Sequence, residues 1–141
     1  MKAILNARLI VPDSKGDFQV LEHMAVVYDE TIADILSMEE FRAIAGVDEV
    51  FDAAGKYVAP GFINIHIHGC MGKDTMDADD EVLPAMSRCQ AETGVTAFLP
   101  TTMTYDFPKI YRSLEQIKAG MQQSDGAAVL GCHMEGPFIS E

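Results

Sequence analysis

Tryptophan is absent from this chain of 141 residues, cysteine occurs three times, and Lys and Arg together number 10 against 22 acidic residues. The resulting formal net charge of −12 argues against nucleic acid as a partner, because phosphate backbones are bound through clustered cations. The same deficit argues against an anionic membrane surface. An anionic small substrate would need a local cationic pocket, and the sequence shows no basic cluster. Cys70, Cys89 and Cys132 are too few and too odd in number for a disulfide framework. A reducing, cytoplasmic setting is therefore the simpler expectation. No apolar run approaches the roughly 20 residues of a membrane helix. The N-terminus, MKAILNARLIVPDS, does not read as a signal peptide, since Asn6 and Arg8 interrupt its apolar stretch and no small-residue cleavage site follows. A glycine-rich phosphate loop is missing, and no Ser or Cys nucleophile stands in a recognisable setting.

What remains is an ordinary globular composition, 48% apolar and 23% charged, long enough for a real core. Two textures divide it. Residues 1–58 read as short strands at 3–11, 18–28, 31–36, 47–52 and 57–59, with turn signals at Pro12-Asp13, Asp29-Glu30 and Ala54-Gly55-Lys56. Ser37 and Glu40 fit a capping box opening a short helix to Ala45, stopped by Gly46. From residue 59 onward strands and helices alternate. Strands are expected at 62–68, 95–100 and 127–134, about 32 residues apart. One helix, capped by Asp79 or Asp80, runs to Gly94 with Val82, Met86 and Cys89 on one stripe. A second, capped by Asp106, carries Ile110, Leu114, Ile117 and Met121 at helical spacing. Strict alternation of this kind predicts a parallel sheet with covering helices, an α/β architecture. A complete eight-stranded barrel needs on the order of 250 residues, so residues 59–141 are expected to supply only its first three strands and two helices.

Chemistry concentrates at two strand ends. In PGFINIHIHG, positions 60–69, strand alternation places Phe62, Asn64, His66 and His68 on one face and Ile63, Ile65 and Ile67 on the other. Two imidazoles at i and i+2 can reach one cation, and zinc and related metals accept imidazole nitrogen. The pair sits at the C-terminal end of its strand, where barrel active sites occur. The alternative is a pair of hydrogen-bonded structural histidines. In GCHMEGP, positions 131–137, Gly131, His133 and Glu135 share a face, opposite Leu130, Cys132 and Met134, and Gly136-Pro137 turns the chain away. Glu135 is expected to ligate metal from the same rim, and His133 to orient the site by hydrogen bonds; the alternative is an exposed loop carboxylate beside a structural histidine. Thr101 and Thr102, after the second strand, reach that rim, either to offer hydroxyls or simply to close the strand. Cys70 is a weaker candidate for contact with metal or substrate, as are Asp74 and Asp77.

On PGFINIHIHG, GKDTMD at 72–77, TGVTAFLPT at 93–101 and GCHMEGPFIS at 131–140, the sequence resembles the amidohydrolase superfamily and, within it, the N-acetylglucosamine-6-phosphate deacetylase family. HMEGPF is the segment most specific to the deacetylases, whereas the histidine motif is shared across the superfamily. The resemblance implies a (β/α)8 TIM-type barrel preceded by a small β-sandwich portion. It implies Glu135 as the metal-binding glutamate, and His66 and His68 as the pair binding a second metal in members that keep it. The implied cofactor is one or two divalent ions of Zn, Fe or Mn. The implied reaction is hydrolysis of the N-acetyl amide of N-acetylglucosamine 6-phosphate to glucosamine 6-phosphate and acetate, by a cytoplasmic enzyme that is a homodimer at full length. The family's other metal histidines, its phosphate contacts and its catalytic aspartate fall on later strands with no counterpart in this sequence, so no catalytic residue is expected here and the chain alone is expected to be inactive. Asn64 stands where the family usually has Asp, which removes a charge from the first strand. Two other readings fit: an amidohydrolase acting on cyclic amides or N-acyl amino acids, and a non-catalytic partial chain.

Overall fold

The computed structural model describes residues 1–122 and 125–140, in two compact units, Met1–Pro60 and Gly61–Glu141. In the first unit β1 (Lys2–Pro12) is the common neighbour. It pairs antiparallel with β2 (Phe18–Tyr28), which in turn pairs with β3 (Ile32–Ser37), and parallel with β4 (Glu49–Asp52) and β5 (Tyr57–Val58). The described residues of this unit form one hydrogen-bonded sheet of five strands. Its register shifts between Ile4 and Leu9, where Asn6 adopts a φ of 53°, and such bulges bend and twist a strand. Ala7, Leu9, Val26 and Ala53 form its buried centre. The capping box closes as expected: Ser37 N–H donates to Glu40 at 2.8 Å and Glu40 N–H to Ser37 Oγ at 3.2 Å. The helix it opens, α1 (Met38–Phe41), is a single turn and does not reach Ala45. Ile44 N–H instead bonds back three residues to Phe41, at 2.9 Å, the tightening common at helix ends.

The second unit is the alternating one. Parallel strands lie in the order β10 (Ala128–Val129), β9 (Val95–Pro100), β6 (Phe62–Ile67), linked through α2 (Val82–Glu92) and α3 (Phe107–Gly120). The core lies between sheet and helices: Val82, Leu83 and Met86 of α2, Ile117 of α3, and Phe98, Ala127 and Val129 of the sheet layer. Asp106 caps α3, accepting from Lys109 N–H at 2.8 Å. For α2 the cap differs from expectation. Glu81 occupies the N-cap without a side-chain bond, because the Asp79 carboxylate is already engaged by Glu81 N–H at 2.9 Å. Of the α3 stripe, Ile110 and Ile117 are buried, whereas Met121 is exposed and Ser113 takes a buried place. After His68 the chain forms a hairpin, β7 (Gly69–Cys70) with β8 (Lys73–Asp74). Met71 and Gly72 at its tip both have positive φ, 55° and 74°, the signature of a type I′ turn. Asp74 and Asp77 then cap a 3-10 turn at Thr75–Asp77 reciprocally, so these loop carboxylates are held by backbone amides.

Candidate metal centre

Both outer strands slip against the central one at the same level. On β6, Asn64 stands opposite Phe98 and Ile67 opposite Pro100, three steps against two. On the other side Leu130 N–H bonds to Phe98 O and His133 N–H to Pro100 O, both at 3.1 Å, again three against two. Each outer strand therefore carries one extra residue beside Phe98–Pro100. A bulge of this kind re-aims the side chains that follow it. This is why the third strand is regular only over Ala128–Val129 and continues as a single bridge, Thr101 with His133, where an unbroken strand over 127–134 is expected.

The two bulges bring three ligand atoms together. His66 Nε2 and His68 Nε2 are 3.2 Å apart. Glu135 Oε2 lies 3.2 Å from the first and 3.4 Å from the second. All three groups are partly open to solvent. Neutral imidazoles cannot satisfy these contacts at once. If both Nε2 atoms carry hydrogen, the hydrogens oppose each other; if one does not, its lone pair faces the carboxylate. A cation that takes all three lone pairs removes the conflict. The spacing suits it: ligands about 2.0–2.1 Å from a tetrahedral ion stand about 3.3–3.4 Å from each other. The donor set of two imidazoles and one carboxylate is also one that zinc and similar divalent ions accept. Among the described residues no other His, Cys, Asp or Glu joins this cluster. His68 Nδ1 is buried without a hydrogen-bond partner among them, the position at which a metal-ligating imidazole ordinarily bonds a carbonyl or carboxylate.

The remaining candidates divide. His133 packs edge-on against the His66 ring, with centroids 4.6 Å apart, and its Nδ1 lies 3.4 Å from Thr101 Oγ1. Thr101 is fully buried, and its Oγ1 accepts from Ile67 N–H at 2.9 Å. Asn64 is not on the histidine face. The slip between Asn64 and Ile67 turns it toward α2, where its side-chain amide donates to Gln90 Oε1 at 2.9 Å. Its own Oδ1 accepts from His66 N–H at 3.2 Å. Cys70 also departs from the rim and packs against the helix-side core. Burial first, and the neighbouring Cys89 thiol second, push its thiol up to about 11; burial likewise raises that of Cys132. Raised in this way, the two thiols are weak nucleophiles. Two residues outside the sequence reading support the site. Thr75 donates its hydroxyl to His68 O at 2.7 Å, and Gln90 holds Asn64. Gln90 falls on the α2 stripe, four and eight residues after Met86 and Val82, and a polar residue there signals a buried partner.

No protein-family model matches the chain. Over 97 residues it is 45% identical to the N-acetylglucosamine-6-phosphate deacetylase of Lysinibacillus sphaericus, covering 68% of this chain and 25% of that protein. Over 83 residues it is 46% identical to the enzyme of that name from Vibrio furnissii, covering 58% and 21%. The crystal structure of N-acetylglucosamine-6-phosphate deacetylase from Pasteurella multocida superposes with a TM-score of 0.79 at 27% identity, over 99% of this chain and 35% of that one. The chain thus spans about a quarter of the length of the curated relatives it matches. In sequence and in its mixed α/β fold it is similar to the N-terminal region of the N-acetylglucosamine-6-phosphate deacetylases, hydrolases of the amidohydrolase family.

Proposed function

We propose that this chain provides the first metal ligands of an N-acetylglucosamine-6-phosphate deacetylase, which hydrolyses the N-acetyl amide to glucosamine 6-phosphate and acetate. The observation that carries the reading is the convergence of His66 Nε2, His68 Nε2 and Glu135 Oε2 within 3.4 Å of one another. In this reading the three parallel strands open a (β/α)8 barrel, residues 1–58 are its small β-rich companion, and residues 59–141 hold the ligands. His66, His68 and Glu135 hold a divalent ion of the Zn, Fe or Mn type, alone or as one of two. The bound ion would supply Lewis acidity toward the amide carbonyl and toward water. His133 limits the tilt of the His66 ring by its edge-on contact. Glu135, the one carboxylate in the cluster, is occupied as a ligand, so the proton-moving group of the hydrolysis has to come from elsewhere in the complete enzyme. That enzyme is proposed to be cytoplasmic and a homodimer.

The test is acetate release from N-acetylglucosamine 6-phosphate with added Zn, Fe or Mn. The 141-residue chain is expected to bind metal and stay at background, and a polypeptide extended to the length of the relatives is expected to turn over. Turnover by the chain alone overturns the assignment of the missing base. An extended polypeptide that ignores the sugar but opens cyclic amides or cleaves N-acyl amino acids overturns the substrate.

A further inference from the structure

The geometry points to the adjacent hydroxyls of Thr101 and Thr102 as the positioning device that sets the spacing of the three ligand atoms; this rests on the metal reading above. Both threonines are fully buried at the end of β9, between the two strands that carry the ligands. Thr101 serves one side. Its N–H donates to Ile67 O at 2.8 Å, and its Oγ1 accepts from Ile67 N–H at 2.9 Å. Ile67 lies between His66 and His68, so one threonine grips both backbone polar groups of the residue that links the two imidazole-bearing residues. The same hydroxyl donates to Leu99 O at 3.4 Å and lies 3.4 Å from His133 Nδ1, where it donates or accepts according to the tautomer of the ring. It thereby ties the first strand to the ring that abuts His66. Thr102 serves the other side. Its N–H donates to His133 O at 3.1 Å, and its Oγ1 accepts from Glu135 N–H at 3.3 Å.

The bulges explain why side chains are needed here. Each outer strand carries an extra residue at this level, which breaks the regular ladder and would leave backbone groups unpaired. The two hydroxyls take the N–H groups of Ile67 and Glu135 and so fix the backbone on which the ligands stand. Valine has the shape of threonine but cannot accept these bonds. Serine can.

The experiment compares Thr101→Val, Thr101→Ser, Thr102→Val and Thr102→Ser in the full 141-residue chain by cobalt(II) titration, read on the visible absorption of the ion, and by amide hydrogen exchange of the metal-free chain. Each valine variant is expected to lose about tenfold to a hundredfold in cobalt affinity, the range for groups that orient metal ligands, and each serine variant to stay within about twofold of the parent. Exchange at Ile67 is expected to accelerate in Thr101→Val, and at Glu135 in Thr102→Val. A valine variant that melts earlier but binds cobalt as the parent does shows a structural role only and overturns the inference. Should Thr101→Val not fold, Thr102→Val decides by the same criteria. If the parent binds no cobalt, the metal reading fails, and exchange alone decides the positioning role: site-specific acceleration upholds it, unchanged protection at both amides overturns it.

Discussion

A carboxylate and two imidazoles within hydrogen-bond distance of each other have competing lone pairs and hydrogens, a conflict that one shared cation removes. Glu135→Gln keeps the shape and the oxygen but removes the negative charge that offsets a divalent ion. We expect it to weaken cobalt or zinc binding by more than about tenfold while leaving the unfolding midpoint nearly unchanged, because Glu135 is partly exposed and bonds the fold through its backbone N–H. Calorimetric metal titration beside thermal melting checks both halves. The histidine pair and Glu135 were legible in the sequence because HxH and HxE place same-face donors at strand ends without any tertiary knowledge. Asn64 departs from the alternation for the converse reason: alternation holds only while the ladder is regular, and a bulge, set by backbone bonding to the neighbouring strand, turns it toward Gln90.

At the scale of the element, α3 is the clearest case of sequence dictating structure. Asp106 satisfies an amide of the first turn, Pro108 sits where no intrahelical N–H is needed, and Ile110 and Ile117 meet the core. Removing the cap by Asp106→Ala is expected to lower stability by about 1 kcal/mol, seen as a lower urea midpoint at constant slope; Asp106→Asn is expected to recover most of it. The α2 start illustrates the limit of such reading. Asp79 and Asp80 both suit a cap by type, and which amide each carboxylate meets depends on the loop arriving from the hairpin. The hairpin over Gly69–Asp74 is too short to show a period in the sequence. Gly69 marks it only in three dimensions: a Cβ there would lie 2.0 Å from Lys73 O.

For the whole molecule, the second unit leaves β6 and β10 as the end strands of its sheet. On β6, Phe62 is 71% and Ile65 66% exposed, and Leu130 and Met134, after β10, are half exposed. Apolar side chains on open strand edges promote association. Sedimentation velocity is therefore expected to show the average mass of the chain rising with concentration, and Ile65→Lys to reduce that rise. A concentration-independent monomer would count against it. No helix among the described residues is long and apolar enough to cross a membrane.

Residue order alone determined the alternation of strands and helices, the Ser37 and Asp106 caps, and the pairing of ligand-type residues at two strand ends, because each depends on neighbours within a few positions. Tertiary structure decided the rest: the single sheet of the first unit, the matched bulges beside Phe98–Pro100, the turning of Asn64 and Cys70 toward the core, and the meeting of His66, His68 and Glu135. Those features arise from contacts between residues distant in the sequence, as far apart as His66 and Glu135, whose register local propensity does not encode.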